Sequence, residues 1–278
     1  MLRSILVGLT LWASLQGNLS AQGPEWLFPP AESMPVLLAG PRNPVNSASL
    51  LGVLRNPNAH GRGVEAELSI GSALPVFLIG GTSEAPTVVL GIEAVAYARF
   101  ALQVLQRELV STDWVFAVPL FWHRPEGWFR FRFYHSSSHM GDEYSRRFED
   151  RGLNVSRDAV DVLAFRAPRP DLGLWAGARF AYNVKPEDDK RWVLRFGAQL
   201  EEEDRVGLLH PFVATDVELD EESGMRPRVE VRIGSWLPEV NGNRTLTLSI
   251  VGLTGPTPLG QFRFRNTTQV GLSLQGRF

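Results

Sequence analysis

Cysteine is absent from all 278 residues, so neither a disulfide framework nor a thiolate metal site can be built. A surplus of charge is missing as well. The formal net charge is -2 and the pI about 6.2, which excludes the basic footprint of a nucleic-acid-binding protein. The third absence is a long apolar run. Beyond the first residues, no stretch approaches the roughly 20 consecutive apolar residues that a spanning helix needs. If such a chain sits in a membrane it must do so as a closed barrel, because lipid leaves the backbone no other partners. What is present, 44% apolar and 21% charged residues, belongs to a folded chain.

The N-terminus carries a targeting pattern. Arg3 gives a short positive start, residues 5–15 form an apolar core, and Leu19-Ser20-Ala21 places a small residue before Gln22-Gly23-Pro24. This predicts a secretory signal peptide over residues 1–21, cleaved after Ala21. Residues 22–61 hold Pro29, Pro30, Pro35, Pro41, Pro44 and Pro57, which break regular elements, and predict an irregular periplasmic or plug segment.

From residue 62 to 278 the period is two. Val88, Leu90, Ile92 and Ala94 alternate with Val89, Gly91, Glu93 and Val95. Trp192, Leu194 and Phe196 alternate with Val193, Arg195 and Gly197, and Val229, Val231 and Ile233 with Arg228, Glu230 and Arg232. Strict alternation predicts strands with one apolar face. Three features put that face outside, against lipid. Long charged residues share the other face with glycine, as a crowded polar lumen requires. The chain ends in an alternating strand at Phe278, a terminal aromatic that barrel assembly machinery reads. Linker lengths also alternate. With the last strand running towards the periplasm, the linkers at 123–127, 167–170 and 201–204 are inner turns, and those at 140–155, 183–190, 220–227 and 252–267 are outer loops. The expectation is an all-β, transmembrane antiparallel barrel of about 12 strands in a bacterial outer membrane. Its lumen would be lined by Arg99, Arg179, Arg195, Arg228, Arg232, Glu93 and Glu230. Trp114, Trp122, Trp128, Trp175, Trp192 and Trp236 are candidates for interfacial girdles.

The most unusual segment runs Phe129-Arg130-Phe131-Arg132-Phe133-Tyr134-His135-Ser136-Ser137-Ser138-His139 and continues into Met140-Gly141-Asp142-Glu143. Alternation puts His135, Ser137 and His139 on the phenylalanine face. Imidazole beside a hydroxyl makes serine a usable nucleophile once an acid orients the ring, and Asp158, Glu143 and Asp142 are candidates for that acid. Polar groups facing hydrocarbon are costly and invite a functional explanation. The competing reading is a strand fraying into a polar loop. His135, His139 and Asp142 as a zinc site fit a strand poorly, since positions i and i+4 lie far apart there. Asp142 and Glu143 could take a calcium ion through oxygen ligands.

The pieces Glu25-Trp26-Leu27-Phe28-Pro29-Pro30, Ala39-Gly40-Pro41-Arg42, the segment from Phe133 to Glu143, and Asn154-Val155-Ser156-Arg157-Asp158 resemble a bacterial family known as domain of unknown function 1207. The likeness spans most of the mature chain and implies an envelope location. His135-Ser136-Ser137 is also similar to the His-x-Ser pair that outer-membrane phospholipase A and lipid A deacylase barrels carry on an outward strand face near the outer leaflet. Those enzymes follow the serine with Asn, where this chain has Ser138-His139. That resemblance implies a lipid-ester hydrolase with His135 as base, Ser137 as nucleophile, Asp158 or Glu143 as orienting acid, and outer-membrane lipids as substrate. The alternative is a non-enzymatic pore or structural barrel, and a soluble secreted β protein is a third reading.

Overall fold

The computed structural model describes residues 26–55, 58–82, 85–105, 107–202, 209–238 and 246–276. The expected signal peptide and the terminal Phe278 lie outside them. The chain forms 12 strands, β1 (Asn46–Arg55), β2 (Gly63–Gly81), β3 (Pro86–Ala101), β4 (Glu108–Arg124), β5 (Gly127–Met140), β6 (Val155–Arg169), β7 (Leu172–Lys185), β8 (Trp192–Glu201), β9 (His210–Asp220), β10 (Arg226–Trp236), β11 (Leu246–Pro256) and β12 (Asn266–Gly276). Each pairs antiparallel with its sequence neighbours, and β1 closes the barrel on β12. Closure removes every sheet edge. A helix, α1 (Asp142–Phe148), sits in the β5–β6 loop. No helix among the described residues is long and apolar enough to cross a membrane.

The two ends differ as the linker lengths predict. Residues 125–126 and 170–171 make tight turns at the end where β1 begins and β12 ends, whereas 141–154 and 257–265 loop out at the other end, here called the distal end. The linkers 202–209 and 237–245 depart from this asymmetry, being long at the short-turn end.

Apolar side chains face outward in a continuous belt. Phe129, Phe131 and Phe133 on β5 lie beside Phe116 and Val118 on β4, and Leu194, Phe196, Ile233, Ile250 and Leu272 continue it around the wall. An exposed apolar surface of this extent is unstable against water, which counts against the soluble reading. Of the six tryptophans expected in girdles, Trp114, Trp122 and Trp192 do face outward. Trp128, Trp175 and Trp236 are instead buried in the lumen, where the Trp175 indole donates to Asp216 (3.1 Å) and that of Trp236 to Glu201 (3.0 Å).

The interior is filled. Inward arginines and acids of the same or nearby strands pair along it: Arg99 with Glu65 (3.2 Å) and Glu67 (2.7 Å), Arg130 with Asp161 (2.7 Å), Arg132 with Glu93 (2.9 Å), Arg195 with Asp216 (2.7 Å) and Arg232 with Glu230 (2.7 Å). Such pairs offset the desolvation of their own charges and add little net stability, but removing one partner is expensive.

Residues 30–45 enter the lumen as a plug. Met34 and Leu37 join an inner apolar cluster with Leu78, Val89, Phe121, Trp128, Leu163 and Trp175. The Gly40 amide donates to Glu230 (2.8 Å), Arg42 pairs with Asp113 (2.5 Å), and the Tyr97 hydroxyl donates to the Asn43 carbonyl (2.9 Å). The expected boundary at residues 61 and 62 needs correction, because the barrel already begins with β1 at Asn46. This strand hides from a period-two search for a physical reason. Leu50 and Leu54 face outward while Leu51 and Val53 pack inward against Val251, so both faces are apolar.

Candidate functional site

β4 and β5 form a tight hairpin, and the phenylalanines of β5 fix its register by keeping one face on the apolar belt. The same face continues upward to His135, Ser137 and His139. The inward positions between them have structural tasks. The Ser138 hydroxyl donates a short hydrogen bond to Asp113, and its carbonyl accepts from Gln261 (2.6 Å).

Strand pairing sets two polar rungs on the outer surface. In one, His135 lies opposite Asp158 on β6, and Asp158 opposite Asn183 on β7. His135 Nδ1 and Asp158 Oδ1 are 2.6 Å apart, and Asn183 Nδ2 donates to Asp158 Oδ2 at 2.7 Å. The histidine side chain is 47% exposed and the aspartate 29%, so the pair opens to the surroundings of the barrel. In the next rung towards the distal end, Ser137 lies opposite Ser156, and Ser156 opposite Lys185. Trp114 and Phe116 of β4 flank the two rungs, beside Ser137 and His135 respectively.

Chemically, the Asp158 contact fixes the imidazole. With Nδ1–H donating to the carboxylate, Nε2 carries the lone pair and is the nitrogen left for a hydroxyl proton. Ser137 is two residues along the same face, roughly 7 Å by strand rise. No hydrogen bond joins its hydroxyl to His135 in this structure. Contacts of this kind often tighten only with substrate in place.

The other candidates fall elsewhere. Glu143 lies on α1 and pairs with Arg146 of the same helix (3.6 Å), so Asp158 is the acid that reaches His135. Asp142 begins that helix, and among the described residues no group of three or more His, Asp or Glu is placed to hold a metal ion. His139 stands opposite Thr112 at the top of the column. α1 itself belongs to a distal cap, in which Tyr144 packs with Val110, Leu259 and Phe262 and accepts from the Ala59 amide (2.8 Å). Burial there pushes the Tyr144 phenol up.

The sequence reasoning missed Asn183, Ser156 and Lys185. Ser156 and Lys185 follow from register once the barrel is known. Asn183 does not, because alternation from the outward Phe180 would turn it inward. A bulge, in which Asp158 faces Asn183 but Ala159 faces Ala181, inserts Tyr182 and returns Asn183 to the outer face.

Closure at 12 strands, the outward apolar belt and the plugged polar lumen define an outer-membrane-type β-barrel fold. The chain belongs to the family described as "Protein of unknown function (DUF1207)", which it matches over residues 15–278. No curated protein matches it in sequence. Among solved structures it is similar to outer membrane phospholipase A from Escherichia coli, at 12% identity and a TM-score of 0.59, covering 93% of this chain and 95% of that one. The calcium-bound dimer of the Salmonella typhi outer membrane phospholipase is similar at 13% identity and a TM-score of 0.57, with the same coverage. At these identities the likeness establishes the fold.

Proposed function

We propose that this protein is an outer-membrane hydrolase of lipid esters, with Ser137 as nucleophile, His135 as base and Asp158 as the residue that positions the imidazole. The observation that carries the reading is the 2.6 Å His135–Asp158 contact on the lipid-facing side of the barrel, beside an outward serine. Water-facing surfaces hold such pairs routinely. On an apolar belt they cost free energy and call for a use. The resemblance to phospholipase A and lipid A deacylase barrels, in His-x-Ser spacing and in fold, points to the same chemistry.

In this mechanism Ser137 Oγ attacks the ester carbonyl carbon while His135 Nε2 takes its proton. The tetrahedral intermediate collapses, and the departing alcohol receives that proton from His135. Water, deprotonated by the same nitrogen, then releases the fatty acid from the acyl-serine. Ser156 and Lys185, in the rung that holds Ser137, are the nearest donors by register for the oxyanion or for a headgroup phosphate. Phospholipid or lipid A would arrive laterally from the leaflet at the distal end. A conducting pore is the competing reading, and the plug and the paired charges that fill the lumen count against it.

The test is hydrolysis by the full chain in detergent micelles, offered mixed-chain phospholipids and lipid A, with and without calcium. Activity lost in both Ser137→Ala and His135→Ala is the expected result. Folded wild-type protein without hydrolysis of either lipid would overturn the proposal.

A further inference from the structure

The lumen contains a second polar constellation on the inner side of β5, where Ser137 joins Ser136 and Ser138 in the lining; it stands independently of the hydrolase reading. Beneath the 257–265 loop lies a cavity of about 130 Å³, bounded by the plug and by the distal ends of β5, β6, β9 and β10. It has several times the roughly 30 Å³ that one water takes in the liquid. Six guanidinium groups line it, those of Arg42, Arg132, Arg157, Arg179, Arg228 and Arg263. They come from the plug, four strands and the distal loop, so distant parts of the chain converge on one point.

Three carboxylates also line it, and each is already engaged: Asp113 with Arg42 (2.5 Å), Asp220 with Arg157 (3.4 Å), and Glu218 with Arg228 and with Arg179 (3.6 Å). Glu93 and Asp161 hold Arg132 (2.9 and 3.4 Å), Asp189 holds Arg263 and Arg157 (2.6 and 3.6 Å), and Glu67 and Glu222 stand 3.7 and 4.0 Å from Arg42 and Arg157, but none of these acids lines the cavity. The lining itself therefore holds six arginines against three acids. Two of the lining side chains also carry a buried donor. Arg228 Nε and Arg263 Nε, on residues 8% and 7% exposed, have no hydrogen-bond acceptor among the described residues. Arginines that outnumber the acids in a lining favour an anion as a further partner.

We propose that this cavity is a binding site for a small oxyanion of the phosphate class. Guanidinium forks match tetrahedral and carboxylate oxygens, and the reduced dielectric of a half-buried site strengthens the attraction. Ser136 and Tyr134 line the same space and supply hydroxyls for the remaining oxygens. The phosphate could come free from solution or from a lipid headgroup, and the two sources are separable.

The experiment uses the full chain in a maltoside detergent, which carries no phosphate of its own. Thermal unfolding is followed by tryptophan fluorescence and by the heat-dependent gel mobility of barrels. Inorganic phosphate is titrated against sodium chloride of equal ionic strength, and short-chain phosphatidic acid is titrated in parallel. Ser136→Leu fills the cavity while leaving every ion pair in place, and Arg228→Gln removes one lining charge. The expected result is a saturable rise in the midpoint with phosphate, weakened at least tenfold in both variants. A rise with phosphatidic acid alone, lost in the same variants, assigns the anion to a lipid. A response to phosphate no larger than to chloride, or one that Ser136→Leu leaves intact, would overturn the site and assign the cavity to water only.

Discussion

Replacing Asp158 by alanine removes the acceptor for His135 Nδ1 without touching the nucleophile. A hydrogen bond to a charged group contributes about 1.5–3 kcal/mol. At about 1.36 kcal/mol per decade this sets the expected loss in kcat at roughly 10- to 150-fold, towards the upper end if lipid excludes water from the site. Asp158 does not contact substrate in the proposed mechanism, so KM should stay near its original value. Folding stability should change by less than about 1 kcal/mol, because both partners are partly exposed. The Asp158→Asn variant makes the test sharper. Its amide oxygen can accept the Nδ1 proton while its NH2 group faces Asn183, whose amide can turn to offer its own oxygen. A neutral bond of about 0.5–1.5 kcal/mol replaces the charged one, so roughly tenfold of kcat should be lost. The assay is initial-rate hydrolysis in mixed micelles, with folding checked by heat-dependent gel mobility. An Asp158→Ala protein working within twofold of the original rate, or an Asn variant no better than Ala, would refute the argument.

Three further outcomes follow from the barrel. Asp161→Ala should cost about 3–5 kcal/mol in urea unfolding from micelles, because it strands Arg130 in the lumen and leaves Arg132 with Glu93 alone, whereas Arg166→Ala, whose pair with Glu126 is exposed, should be nearly silent; equal effects would remove the distinction. Gly40 has a φ of +131°, and a Cβ there would lie 2.0 Å from Arg195 Nη2, so Gly40→Ala should dislodge the plug, lower the unfolding midpoint and raise conductance in planar bilayers above that of the intact chain. Unchanged conductance together with an unchanged midpoint would show that the plug tolerates the intrusion. Phe131→Arg should cost about 2–4 kcal/mol if this face meets hydrocarbon, and His139→Arg, nearer the distal rim, about 0–1; a flat profile would contradict the membrane placement.

How far the sequence could be read depended on whether one face of a strand stayed polar. β3, β8 and β10 alternate cleanly because their inner faces meet charged partners, as Glu93 meets Arg132 and Arg195 meets Asp216. β1 fails the same test because its inner face packs on Val251 and its outer face on lipid-side neighbours. The buried tryptophans fail it differently. Composition suggests a girdle, but only the three-dimensional wall tells an indole bonded to Asp216 from one facing outward. In the candidate site, His135 and Ser137 were legible from spacing alone. Asp158 was one of several acids, since the length of the 141–154 loop does not fix which residue of β6 faces His135. Asn183 was invisible, because a single bulge residue reverses the face that alternation assigns to it.

The position of the polar rungs along the strands argues for a leaflet substrate over a luminal one. Asp158 is three residues from the start of β6, and Lys185 is the last residue of β7. At roughly 3.3 Å per residue and a strand tilt near 40°, the His135–Asp158 rung lies about 8 Å from the distal end of β6 and about 13 Å from that of β5. That depth is where an apolar belt some 25 Å tall gives way to headgroups, and where the ester groups of a lipid lie. A site placed deeper would meet acyl chains without an ester to cleave and would bear the full cost of polar groups in hydrocarbon. A site inside the lumen would need a lipid to pass the plug and a lattice of ion pairs. The outer face near the rim is therefore where a histidine, an aspartate and a serine would be both tolerable and useful to the proposed hydrolase.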